Sequence, residues 1–170
     1  MALLVCLTFL LLVSLIGLSS LQSAVQQEKM AGSVWLANQS LQAGEAGLRL
    51  GESHVQALWP ELSACETVAR CAPPASARSQ ASPGLDPVSG MQWLKSPDGL
   101  YGIQSLGIGV TPAQLPGIAS AHFYRVTAIG VRGLSRTVLE SVFVRYRSPG
   151  SETDDPIHQR FRRVMWRQIQ

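Results

Sequence analysis

No charged side chain occurs in the first eighteen residues, MALLVCLTFLLLVSLIGL, and no Lys or Arg precedes them. The missing positive flank argues against a cleaved secretory signal peptide, although Ser19, Ser20 and Ser23-Ala24 could imitate its cleavage site. Charge is scarce overall, at 15% of the 170 residues, and the formal net charge is only +3. Most basic residues stand singly and gather only near the end, which is not the clustered face of a nucleic-acid binder. Cysteine is nearly absent, with three in the chain. Cys6 lies in the apolar run as a small hydrophobe. Cys65 and Cys71 stand close together, which leaves open a small disulfide loop, two free thiols or a metal site. No further Cys or His set supports the metal.

Catalytic frames are missing too. His54, His122 and scattered Asp residues belong to no G-x-S-x-G elbow or comparable frame. GIGV at 107–110 lacks the Lys-Ser/Thr of a phosphate-binding loop. The chain reads as a non-enzyme that needs no cofactor and no metal.

What is present is apolar length. Hydrophobic residues make up 46% of the chain, and much of the excess sits in the first two dozen positions. That leaves a small core for the rest. Eighteen apolar residues in a helix span about 27 Å, close to a bilayer's hydrocarbon thickness. Thr8 and Ser14 are tolerable there because their hydroxyls can bond back to helix carbonyls. A single-pass anchor is one reading. A second follows from Leu21 onward, where the pattern stays helical but turns amphipathic. Val34, Leu41, Leu48 and Val55 recur every seven residues, and Met30, Ala37, Gly44, Gly51 and Leu58 form a companion series. Nothing stops the helix until Pro60. The pattern predicts one helix from near Met1 to Trp59, about 85–90 Å long. Its expected interface stripe is Met30, Val34, Ala37, Leu41, Gly44, Leu48 and Val55. A solitary coiled coil is the rival, but small Ala and Gly positions make a poor dimer seam.

These residues resemble a known family. LLVCLTFLLLVSLIGLSSLQSAVQQEKMAG (3–32) and QSLQAGEAGLRLGE (39–52) resemble the N-terminal region of the PilX family of minor type IV pilins. QEKMAG at 27–32 and AGEAGLRLGE at 43–52 carry most of the likeness. YRVTAIG at 124–130 and TVLESVFV at 137–144 resemble that family's terminal hairpin. The resemblance implies a prepilin whose basic leader is cut after a Gly and whose new N-terminus is methylated. Met1 is then the expected processed N-terminus, with the leader lost or the start read too late. Shaft-forming pilins carry Glu at position 5, where this chain has Val5, a difference compatible with a tip or initiation role. The implied partners are other minor pilins, the major pilin, the inner-membrane assembly platform, a large tip adhesin and inner-membrane lipid, with no nucleic acid. The implied location is the bacterial inner membrane, as a single-pass precursor with a periplasmic head, and then the pilus. A pseudopilin-like component of a type II secretion system and an unrelated single-pass envelope protein are the alternatives.

The expected fold is α+β: a long N-terminal helix packed on a small antiparallel sheet. The expected divisions are 1–21, membrane-spanning helix; 22–59, amphipathic continuation; 60–121, variable head; 122–147, terminal hairpin; and 148–170, basic tail. In the head, APPASARSQASPGLDPVSG (72–90) reads as a loop and Trp93 as a packing anchor. Ser96-Pro97-Asp98-Gly99 is a turn signal. LYGIQSLGIGV (100–110) reads as the first strand, irregular or at an edge because of its glycines. Pro112 and Pro116 mark a connection. His122–Ile129 and Val138–Tyr146 alternate as strands around a loop at Gly130–Arg136. Tyr124, Val126 and Phe143 are expected to pack on the helix. HQRFRRVMWRQIQ (158–170) puts its apolar residues largely on one side of a helical wheel. Partner docking, a membrane surface, a disordered tail and nucleic acid all remain open for it.

Overall fold

The computed structural model describes residues 1–110, 120–147 and 159–169. The expected connection with Pro112 and Pro116, the strand end at Ser148–Gly150, the acidic run 151–156 and His158 lie outside the described residues. Helix α1 runs Ala2–Leu58, 57 residues, and hands over at Trp59-Pro60 to a single 3₁₀ turn. The chain divides into two units, Met1–Leu36 and Ala37–Gln170.

In the first unit the helix is apolar and exposed on all sides: Leu3, Leu4, Phe9, Leu10, Ile16 and Leu18 each present more than half of their surface. Thr8 Oγ1 donates to the Val5 carbonyl at 2.9 Å and Ser14 Oγ to the Leu10 carbonyl at 2.8 Å. The hydroxyls are therefore satisfied without water. By length and composition this helix can cross a membrane.

The second unit packs α1 residues 37–58 on a six-stranded antiparallel sheet ordered β1 to β6 in sequence. The strands are β1 (Gly84–Leu85), β2 (Gln92–Ser96), β3 (Gly99–Val110), β4 (Ser120–Arg132), β5 (Ser135–Arg147) and β6 (Gln159–Ile169). Period-two alternation in β4 sends Tyr124, Val126 and Ala128 to one face, where with Leu139 and Phe143 they bury Leu48 and Val55 of the helix. The opposite face is buried too. Leu100, Ile129 and Val138 pack there with Trp93, Met91 and Ala77.

Several expectations change. LYGIQSLGIGV is neither the first strand nor an edge: β3 lies between β2 and β4, with a register shift between Ser105 and Gly107. The hairpin loop is shorter than Gly130–Arg136. Arg132 pairs with Ser135 across Gly133-Leu134, and Gly133 has φ 55°. A positive φ at the first turn position alone matches a type II′ turn, whose twist suits the strands. The segment 72–90 is not merely loop, because it holds a 3₁₀ turn (Ala75–Arg78) and β1 and delivers buried Ala77. The tail 159–169 is a strand and not a wheel-patterned helix, paired along its length with β5. Its arginines conceal the alternation, and a register shift between Val142 and Phe143 breaks it.

Candidate functional site

The seam between α1 and the sheet is built from small residues. The buried helix positions are Ser40, Ala43, Gly44, Gly47, Leu48, Gly51 and Val55. Five of these seven have one side-chain heavy atom or fewer beyond Cβ, and only Leu48 and Val55 supply bulk. Small groups let two backbones approach closely. A Cβ at Gly130 of β4 would overlap the Ser40 carbonyl and the Gly44 amide, and one at Gly51 would overlap Val126. At Gly44 a Cβ would meet Leu139 Cδ1 at 3.1 Å.

Of the expected stripe, the structure brings Gly44, Leu48 and Val55 into this seam, with Leu41 half-buried beside them. It leaves Met30, Val34 and Ala37 exposed. A heptad count gives weight to large apolar residues, whereas this seam is set by where Ser, Ala and Gly fall. Met1 is fully exposed. Cys65 and Cys71 are joined by a disulfide.

Polar ties lock the seam. Ser40 Oγ lies 2.7 Å from Thr137 Oγ1 at one end. His54 Nδ1 lies 3.2 Å from the Tyr101 hydroxyl, and burial raises the pKa of that phenol. Glu52 accepts from Ser141 Oγ at 2.8 Å and from Arg163 Nε and Nη2 at 2.7 and 2.8 Å. That forked bond to Glu52 holds the Arg163 guanidinium above its usual pKa. At the helix end the Arg145 guanidinium stands 3.7 Å from the Trp59 ring centre. One α1 residue is thereby tied to both β5 and β6.

The outer face carries a second network, which sequence reading missed. Glu140 is fully buried. Its Oε1 lies 2.9 Å from Arg167 Nη2 of β6, and its Oε2 3.3 Å from Arg125 Nε of β4. Arg125 also donates to the Cys71 carbonyl and to Gln104 Oε1, and Gln104 Nε2 donates to the Arg70 and Ala72 carbonyls. The network therefore pins the disulfide loop to the sheet. Burial lowers the Arg125 pKa and Arg167 adds to that, while Glu140 opposes it. The available signal was Glu140 itself, a carboxylate in phase with Val138, Val142 and Val144. Nearby, Asp86 is buried, which raises its pKa, yet donors from Ser76, Ser89 and Val88 outweigh burial and leave it below its ordinary value.

A cavity of about 230 Å³ beside the disulfide is lined by Ser63, Cys65, Glu66, Arg70, Gln104 and Ser105. These side chains form no nucleophile–base pair. Among the described residues no group of three or more His, Cys, Asp or Glu could hold a metal ion.

No curated protein and no solved structure matches the chain. Residues 1–49 match the family model described as PilX N-terminal. The match ends within α1, so it rests on the apolar helix and the start of the small-residue seam, not on the head. A long apolar N-terminal helix on an antiparallel sheet is the pilin type of α+β fold, and the match and fold together give a general minor-pilin or pseudopilin role. By that N-terminal segment, residues 1–49, the chain is similar to the PilX family.

Proposed function

We propose that this protein is a minor pilin that helps initiate type IV pilus assembly and is incorporated at or near the pilus tip. The observation that carries the reading is the PilX N-terminal match over 1–49, falling on a helix whose apolar residues 1–35 are all exposed among the described residues. Each Leu, Ile, Val or Phe side chain of that helix would cost about 1.5–3 kcal/mol if left in water. It therefore needs lipid before assembly and neighbouring pilin helices after it. The precursor sits in the inner membrane with its head in the periplasm. The Cys65–Cys71 disulfide supports that side, because such bonds persist in oxidising compartments. No carboxylate occurs before Glu28, which favours a tip or initiating position over repeated addition to the shaft. The partners are other minor pilins, the major pilin and the assembly platform, with a tip adhesin as a further candidate.

Deleting the gene tests this. Loss of surface pili and twitching, restored by the intact gene, is the expected result. Normal piliation without the protein would overturn it, and a protein-secretion defect with normal pili would assign it to a type II secretion pseudopilus instead.

A further inference from the structure

We propose that the cavity beside the Cys65–Cys71 disulfide binds a free amino acid with a small aliphatic side chain, its carboxylate on Arg70 and its ammonium on Glu66. The site goes beyond the pilus reading and does not depend on it.

The cavity measures about 230 Å³, below the about 300–1,000 Å³ of pockets that take drug-sized ligands. Glu66 and Arg70 both line it. They carry opposite charges, yet they do not pair with each other. Among the described residues neither side chain has a hydrogen-bond or ion-pair partner. On a continuous helix, residues four apart would meet. Here the backbone is extended at Thr67, with φ −130° and ψ 154°, and the short helix Val68–Cys71 begins only after it. The disulfide closes the ring directly outside both residues. Gln104 Nε2 fixes the Arg70 backbone as well, donating to its carbonyl at 2.7 Å. The backbone that carries the two charges is therefore set before a ligand arrives, which lowers the ordering cost of binding.

The rest of the lining says what fits between the charges. Ser105 is only 7% exposed and lines the cavity, and its hydroxyl has no partner among the described residues. A buried hydroxyl left unpaired is costly, so a carboxylate placed there gains a donor. Met91 and Ile103 supply an apolar wall, which suits an aliphatic side chain. No aromatic ring lines the cavity, so a nucleobase would find no surface to stack on. A simple anion would face Glu66 and a simple cation Arg70, and each is disfavoured by the like charge. A small molecule that carries both charges answers both residues.

The test titrates L-valine into the full-length chain in neutral detergent, followed by ligand-observed NMR and thermal unfolding. Binding with a Kd on the order of 1 mM, with a melting temperature that rises with valine concentration, is the expected result. N-acetylvaline lacks the ammonium and valine amide lacks the carboxylate, and each should bind about tenfold more weakly. Arg70→Gln and Glu66→Gln should each weaken valine about tenfold. The ligand-free melting temperature should not move, because both side chains are exposed. Glu66→Gln should also bring N-acetylvaline level with valine, a convergence that a damaged fold would not produce. If either variant melts early, hydrogen exchange on the unaltered protein decides: valine should slow the amides of 63–66 and 103–105. Absence of valine binding would overturn the proposal. So would equal binding of the three compounds to the parent, or valine binding that both variants retain in full.

Discussion

The two faces of the sheet are both buried, but by opposite means. On the helix side, cover comes from one regular element with small residues at the contact, and the packing is mainly apolar. On the outer side, cover comes from an irregular segment rich in Pro and Ser, stapled by Cys65–Cys71 and held by a buried acid between two arginines. A helix can cover a sheet by shape alone, since its backbone is satisfied internally. An irregular segment carries unpaired carbonyls and must be given donors. Arg125 and Gln104 supply those donors to the carbonyls of Arg70, Cys71 and Ala72.

The greatest damage should come from forcing the first face apart. Gly130→Val places methyl groups where the Ser40 and Gly44 backbones lie. Neither backbone can rotate away, so the loss should reach about 3 kcal/mol or more. Gly44→Leu meets the movable end of Leu139 and should cost less, about 1–3 kcal/mol. Thermal unfolding of the full chain in detergent would order the two. A Gly130→Val protein as stable as its parent would mean that the seam does not hold in solution.

The comparison sharpens when one residue is removed from each face. Leu48→Ala empties a fully buried site under the helix and should cost about 3 kcal/mol. Glu140→Gln leaves Arg125 buried without its counter-charge and should also cost about 3 kcal/mol. The two can be told apart by hydrogen exchange. Leu48→Ala should loosen α1 after residue 40, whereas Glu140→Gln should loosen residues 65–72 and β6. Loosening of α1 alone in both would show that the outer network carries no load.

Next in size is the staple. A disulfide across so short a loop constrains the unfolded chain by about 2 kcal/mol. Replacing Cys65 and Cys71 together by Ser should lower stability by that amount and leave the helix face unchanged. A fall in α1 protection equal to that of residues 65–72 would join the two faces into one cooperative unit.

The first face was far more legible in the sequence than the second. Eighteen uncharged residues and no proline before Pro60 announce the helix, and alternation in 122–129 and 138–146 announces β4 and β5. The seam was half visible. Gly44, Leu48 and Val55 fell in it, but Met30, Val34 and Ala37 did not, because an apolar count gives no weight to Ser40, Ala43 or Gly47. The outer face was hidden because its cover is tertiary: nothing local in 72–91 says that Ala77 and Met91 meet Trp93. β6 was hidden because an edge strand studded with Arg shows no apolar period.

The smallest expected effect concerns two acids seven residues apart on α1. Glu45 reaches Arg49 at 3.8 Å, and both side chains are well exposed. An exposed pair one turn apart is worth only about 0.3–0.5 kcal/mol, and salt screens it further. Glu52 is mostly buried and takes three bonds from β5 and β6. Hydrogen bonds to a charged group contribute about 1.5–3 kcal/mol, a range to be discounted here because Arg163 is partly exposed. Glu45→Ala should therefore shift the melting temperature barely at all, and Glu52→Ala by several degrees. The Glu52→Ala loss should persist at high salt, since its charges sit in the seam. Equal shifts for the two variants, both erased by salt, would show that Glu52 is only another surface pair and that β6 is held in place by its pairing with β5 and by Phe161 on Phe143 instead.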